Sequence, residues 1–309
     1  MADNERLCLM AVHAHPDDEC ISTGITLARY AAEGVHTVLV TCTLGEEGEI
    51  RDPRLDPNEA RPRLAQIREA ELRCSAEALR VRSLHILGYR DSGMAGTPAN
   101  KHPDAFNNVR FIEAVGRLIE IVRRERPQVL ITYNEYGGYG HPDHIMAHFI
   151  TVAAFFGAAD DKRFPISGSD APPWQPQKLY YTAFPRERLE RLRAILHERG
   201  LEDPWEERER RAQEAMEASA APGQRIRQQA ASMFQSEAQI TTWIKGEEFY
   251  PQKRASMLCH PTQLAPDSFF LNLPADIAPQ AFGTEAFILA QSLVQTERPE
   301  DDLFAGIRS

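Results

Sequence analysis

The sequence predicts an α/β fold: a Rossmann-like three-layer sandwich with a mostly parallel sheet and a smaller C-terminal appendage of helical and mixed character. Three observations carry this. Short apolar or β-branched runs recur at residues 6–12, 35–41, 81–87, 128–133 and 178–182. Helical stretches separate them, and strands alternating with helices mark a parallel sheet covered on both faces. The pattern stops after Phe184, where residues 186–235 become densely charged.

Each element has its own signal. Residues 6–12 read as a buried strand ending at His13-Ala14-His15. Residues 21–33 have helical spacing and stop at Gly34, a good C-cap. Residues 35–41 are a β-branched run, so strand, helix and strand form a βαβ unit. Asn58 is placed to cap a long helix through Arg80, with Pro62 in or near its first turn. The third strand, 81–87, ends at Gly88. An amphipathic helix over 108–126 stops at Pro127, and strand 128–133 follows. Residues 141–156 read as helix, the proline-rich stretch 159–177 as loop, and 178–182 as a fifth strand. No internal repeat is visible. A soft boundary near 160–185 divides a core, residues 1–185, from a cap, residues 186–309, that completes the pocket.

Composition limits the function. A chain of 309 residues buries a large core without staples. Its net charge of −10 argues against coating nucleic acid, which needs clustered Lys and Arg. The runs Arg123-Arg124 and 208–211 are interleaved with Glu and read as solvated helix faces. The five cysteines, Cys8, Cys20, Cys42, Cys74 and Cys259, include no C-x-x-C pair. Cys8, Cys42 and Cys74 read as small core residues, which fits a reducing cytoplasm. No apolar run approaches the roughly 18 residues of a membrane span, and the N-terminus shows no leader pattern. The expected partner is therefore a small molecule taken from solution, with no nucleic acid and no membrane; a homo-oligomer stays open.

Two motifs carry the chemistry. Ala14-His15-Pro16-Asp17-Asp18-Glu19 lies where the first strand ends, and His141-Pro142-Asp143-His144 just after the fourth. Parallel sheets bind ligands at the carboxyl ends of their strands, so both motifs fall on one edge. His15, Asp18 and His144 supply two imidazoles and one carboxylate, the three-ligand set of catalytic zinc with a fourth position for water. The same set binds Fe²⁺. Asp17 is placed to take a proton from the attacking water and give it to the leaving amine. His141 is placed to stabilise an oxyanion or act as acid, with Asp143 orienting its ring. Glu19 supports the ligands from behind, and His13 is either a supporting or a buried structural histidine. Against this stands a blander reading, in which Asp17 and Asp18 cap a helix and His-Pro-Asp-His starts one. A nucleotide-binding reading would need G-x-G-x-x-G after the first strand, where two carboxylates stand instead. Glu46, Glu47 and Glu49 follow the second strand and either line the pocket or form a solvated acidic loop.

The phrases VHAHPDDE, VTCTLGEEGEI, YRDSGMAGT and GGYGHPDH resemble the LmbE-like (PIG-L) N-acetylglucosaminyl deacetylase family, and its mycothiol-pathway members in particular. The likeness covers residues 6–157, with an echo at His260 and Gln263. It implies a zinc-dependent hydrolase that removes an acyl group, acetyl above all, from an amino-sugar conjugate, or a related conjugate amidase. It implies zinc on His15, Asp18 and His144, with Asp17 as general base and His141 and Tyr139 assisting the tetrahedral intermediate. It further implies substrate contacts from Arg68 and Asp91. From the residues alone, Arg68 equally suits an ion pair with Glu71, Asp91 a turn before Gly93, and Tyr139 a surface aromatic.

Overall fold

Parallel strand pairing with a single change of winding direction decides where the site lies. The computed structural model describes residues 6–164, 171–203 and 234–308. The strands are β1 (Cys8–His13), β2 (His36–Thr43), β3 (Ser83–Tyr89), β4 (Val129–Thr132), β5 (Lys178–Pro185), β6 (Phe234–Gln235), β7 (Thr242–Lys245) and β8 (Thr284–Ser292). The helices are α1 (Asp18–Ser22), α2 (Gly24–Ala32), α3 (Pro57–Ala60), α4 (Leu64–Ala78), α5 (Phe111–Glu125), α6 (Gly137–Gly140), α7 (Pro142–Gly157), α8 (Arg186–Glu198), α9 (Tyr250–Leu258), α10 (Phe269–Asn272) and α11 (Ala278–Phe282). The sheet runs β3-β2-β1-β4-β5-β8-β7, with β6 beside β5. From β3 to β5 the pairs are parallel; β8 pairs antiparallel with both β5 and β7. The order reverses between β1 and β4, so the chains leaving those two strands diverge and open a crevice at their carboxyl ends.

Period-two alternation fills two core layers. Met10 and Val12 of β1 pack with Val115 and Leu118 of α5 and Ala147 and Ile150 of α7. Leu9 and Ala11 pack on the other face with Leu27 of α2 and Leu72 of α4. Helices thus cover both faces, as the alternating pattern predicts. The sheet continues across residue 185, because β7 and β8 join it from beyond that point.

Several expectations are corrected. The single helix of 58–80 is α3, a 3₁₀ turn at Arg61–Arg63 and then α4. Pro62 has no N–H to continue an α-helical ladder, and Asp56, not Asn58, is the cap, accepting from Asn58 N. The helix expected from residue 21 begins at Asp18 and breaks at Thr23. Arg123 is not solvated: it is buried and donates to the carbonyls of Ala158, Asp160 and Phe164. The run 208–211 lies outside the described residues. Cys74 is not a core thiol: it forms a disulfide with Cys259 across 185 positions, while Cys8, Cys20 and Cys42 are free and buried. No local signal marks that pair, which meets only when α4 packs on α9.

Buried charge ties the C-terminal part to the sheet. Glu285 of β8 accepts from Ile25 N and Thr26 N, two free donors at the start of α2, and from Lys253 Nζ at 2.6 Å. Lys178 Nζ meets Glu300 Oε1 at 2.7 Å with neither side chain exposed. Replacing Lys178 by Met should leave Glu300 buried without its cation and destabilise the fold by about 3–5 kcal/mol in urea unfolding. A double variant, Lys178→Met with Glu300→Gln, should recover much of that; equal losses would refute the account.

Glu125, at the end of α5, accepts from His85 Nε2 and His36 Nε2, each at 2.8 Å. Those bonds, His85 first, hold its carboxyl down from 4.5 to about 2. The folded value lies below the unfolded one. Its stabilisation is therefore complete above about pH 4.5 and lost as pH falls toward about 2. Glu125→Gln should lower the Tm at pH 7, with the difference from wild type closing across that window; a difference independent of pH would contradict it.

Candidate metal centre and cleft

Two loops meet at the reversal between β1 and β4. His15 follows β1, Asp18 opens α1, and His144 sits in the first turn of α7. His15 Nδ1 lies 3.2 Å from His144 Nε2 and 3.6 Å from Asp18 Oδ2, and the latter two lie 3.5 Å apart. A tetrahedral ion with bonds of about 2.0–2.1 Å spaces its ligands about 3.3–3.4 Å apart. The triangle therefore fits one such ion. Burial opposes a charge on His15, yet hydrogen bonds to Asp143, Asp18 and Asp91 hold its pKa well above the usual value. Burial likewise raises Asp18, yet His144 and His15 hold it well below the carboxylate range. Unlike His15, His144 is pushed down to about 4 by burial, with the neighbouring His15 adding to it. His141 also lies close enough to His15 and His144 to share an ion with them, and His15, Asp91, His141 and Asp143 form a second such group. His141 and Asp91 each already accept a backbone N–H, His141 Nδ1 from Asp143 at 3.1 Å and Asp91 Oδ1 from Gly93 at 2.8 Å.

The surrounding side chains fix the triangle. Asp143 Oδ2 stands 3.2 Å from His15 Nε2 and accepts from Ser92 N, while Oδ1 accepts from Ser92 Oγ. This corrects the sequence reading: Asp143 orients His15, in the carboxylate–histidine pairing of metal sites, and not His141. His141 is instead the N-cap of α7 through the Asp143 N–H. Tyr133, which the sequence reading missed, donates to Asp18 Oδ2 at 2.7 Å, accepts from Ala14 N, and stacks on His144 at 4.2 Å. Its one sequence signal is its place at the carboxyl end of the fourth strand run. Gly137 backs His144: at φ +62 an added Cβ would fall 2.7 Å from the His144 Cβ.

Asp17 adopts φ 102°, a left-handed conformation rare outside glycine. Such strain costs about 1–3 kcal/mol and persists only where the surroundings over-determine it. Arg68, 3% exposed, provides part of that constraint. Its Nη2 donates to Pro16 O at 2.5 Å and Asp17 Oδ2 at 3.2 Å, and its Nη1 to Gly45 O at 2.5 Å. At Gly45, with φ +65, a Cβ would sit 1.9 Å from Nη1. Arg68 borders the cleft, but the loop takes these donors. Burial pushes the Asp17 carboxyl up to about 7, although Arg68 pulls it down. Burial and the neighbouring His15 and His144 push His141 down to about 3.

The cleft measures about 360 Å³, and Asp17, His141, Tyr139, Asp91 and Gln263 line it. Tyr139 is 38% exposed, with its ring 4.9 Å from that of His144. Asp91 makes the turn to Gly93 and also accepts from Glu47 N. Glu47 and Glu49 line the cleft, while Glu46 accepts from Asp91 N. His13 is buried on Thr23 Oγ1, and His260 is buried on Glu19. A second cavity of about 230 Å³, among Phe184, Phe269 and Phe282, is apolar and holds no such convergence of acids and imidazoles.

These features define a hydrolase-type metal centre at the switch point of an α/β sheet. Residues 10–155 match the PIG-L family, GlcNAc-PI de-N-acetylase. Over 308 residues the chain is 39% identical to a mycothiol S-conjugate amidase of Streptomyces coelicolor, covering 98% of both chains. Over 312 residues it is 42% identical to a 1D-myo-inositol 2-acetamido-2-deoxy-alpha-D-glucopyranoside deacetylase 2 of Frankia alni, covering 96% of this chain and 99% of the other. A conserved protein of Thermus thermophilus shares the fold, with a TM-score of 0.57, 21% identity and coverage of 94% and 97%. The chain belongs to the PIG-L family, hydrolases that act on amide bonds.

Asp143→Asn should weaken divalent-metal affinity by about 10–100-fold, read by chelator competition. Unchanged affinity would remove Asp143 from the support of His15.

Proposed function

We propose that this protein is a zinc-dependent N-deacetylase of a GlcNAc-type amino-sugar conjugate. The observation that carries the reading is the metal-sized triangle of His15, Asp18 and His144 with a separate carboxylate, Asp17, at its edge. A bound Zn²⁺ would lower the pKa of a water ligand and polarise the amide carbonyl, and Fe²⁺ suits the same ligands. Asp17 takes the proton of the attacking water and delivers it to the leaving amine. A carboxyl pushed up toward neutrality can do both. His141, whose Nδ1 is occupied by a backbone N–H, has Nε2 left for the oxyanion, and the Tyr139 phenol closes on it from the glycine-flanked turn. Asp143 keeps the His15 ring oriented. Asp91 contributes to sugar binding at the wall of the cleft. Arg68 contributes through the shape it imposes on Asp17 and Gly45.

Residues 1–185 form the catalytic core and 186–309 the cap. Gln263 Nε2 reaches Glu49 O at 2.8 Å, and Arg51 N donates to Thr262 O, which joins the two parts at the pocket. The substrate arrives from solution in the cytoplasm, where the buried thiols of Cys8, Cys20 and Cys42 stay reduced. None of the helices among the described residues is long and apolar enough to cross a membrane.

The substrate proposed is the glucosaminide of inositol named for the Frankia relative, acetylated on nitrogen. The second reading, cleavage of a mycothiol S-conjugate, rests on the Streptomyces relative, which also matches over nearly its full length. Release of free amine from the two compounds by zinc-loaded and iron-loaded protein separates them. Turnover of the acetylated sugar supports the first, turnover of the conjugate alone the second, and turnover of neither overturns both. Asp17→Ala should keep its metal and lose about 10²–10⁴-fold in kcat; retained turnover would displace Asp17 as base.

A further inference from the structure

The strained turn at Asp17 is held from a second side, by groups outside the cleft. Glu19 is fully buried. Its Oε2 accepts the Asp17 N–H at 2.9 Å. Its Oε1 accepts from His260 Nε2 at 2.7 Å and from Ser75 Oγ. Ser75 Oγ also pairs with Ser256 Oγ at 2.6 Å. Ser75 belongs to α4, Ser256 to α9, and His260 follows the end of α9. Seven residues before Ser75, on the same face of α4, stands Arg68, which grips the other side of the turn. Between these two, Glu71 accepts from Thr262 N and Thr262 Oγ1. The conformation of Asp17 therefore depends on how α4 and α9 sit against each other.

The Cys74–Cys259 disulfide joins those two segments one residue away from Ser75 and one residue away from His260. Cys74 is exposed and Cys259 half-buried, so a reductant can reach the bond from solvent. Disulfides in a reducing compartment are most often transient or redox-sensing.

We propose that Glu19, Ser75 and His260 are positioning residues that hold Asp17 in its left-handed turn, and that the Cys74–Cys259 disulfide braces them. This rests on the reading of Asp17 as the base. None of the three lines the cleft, and the relay acts through the Asp17 backbone. Loss of the brace relaxes the turn and moves the Asp17 carboxylate from its working position. The metal triangle, which Tyr133, Asp143 and the His15 N–H hold separately, keeps its ion. Reduction by tris(2-carboxyethyl)phosphine and water cleaves the S–S bond, yields two thiols and oxidises the phosphine to its oxide. Activity then becomes a function of the thiol–disulfide state of Cys74 and Cys259.

The test uses the full chain with zinc and the acetylated glucosaminide of inositol. Phosphine treatment followed by removal of the reductant under argon should lower kcat at least fivefold. KM should stay within twofold, and the metal-to-protein ratio by elemental analysis should not change. Cys74→Ala with Cys259→Ala should show the lowered kcat from the start and no further response to phosphine. Glu19→Ala should lose at least tenfold in kcat at constant KM. Glu19→Gln, which keeps an acceptor for the Asp17 N–H but turns its amide NH2 toward His260 and Ser75, should recover part of that loss. A wild-type kcat indifferent to reduction overturns the brace. A Glu19→Ala loss that follows metal content, or that appears in KM alone, overturns the positioning role. Full activity in Asp17→Ala would instead overturn the reading of the base on which both depend.

Discussion

In the proposed mechanism two carboxylates in adjacent positions take opposite roles, and the backbone between them sets them apart. Asp18 enters the metal triangle, while Asp17 stays apart from it at the cleft. In an ordinary helical start both would point from one turn toward similar surroundings. Asp17 adopts a left-handed backbone, and the two carboxyls also differ in their electrostatics. Asp18 is held well below the carboxylate range by the imidazoles of His144 and His15, and Asp17 is pushed up by burial. A ligand has to be ionised and a base has to be able to exchange its proton. Environments that push paired carboxyls apart are how active sites assign such roles.

That turn lies where the sheet reverses its order. Between β1 and β4 no crossover covers the strand ends, so two loops separated by more than a hundred residues face each other. The sheet supplies Tyr133 from the end of β4, which bonds to Asp18 and stacks on His144. The loop after β3 supplies Ser92, which aligns Asp143 on His15. Each ligand is thus oriented by an element other than its own. Such fixing from several directions is how side chains around a metal site are held in orientation.

Several buried charges among the described residues are partnered at junctions of the chain. Glu285 caps α2 from β8, Lys178 and Glu300 tie β5 to the C-terminal segment, and Arg123 gathers the carbonyls after α7. Breaking such a pair leaves a charge without solvent, so these contacts fix how distant segments join more than they add net stability. The C-terminal residues accordingly share the sheet, through β7 and β8, and reach the cleft through Gln263.

What the sequence determined by itself is what periodicity and residue chemistry dictate locally. The five parallel strands, the helices between them and the two histidine–aspartate motifs at the strand ends were legible, because side-chain alternation and ligand chemistry are written within a few residues. His15, Asp17, Asp18, His141 and His144 could be gathered at one edge from that pattern alone. The remaining features were decided by packing. Only the packing of α4 on α9 brings Cys74 to Cys259. Only the fold turns Asp143 from His141 to His15, spends the donors of Arg68 on Pro16, Gly45 and Asp17, and brings Tyr133 to Asp18. Each of these is a contact between segments far apart in the chain, whose partner no local spacing encodes. The strained backbone of Asp17 belongs with them, since a left-handed aspartate persists only where distant groups hold it.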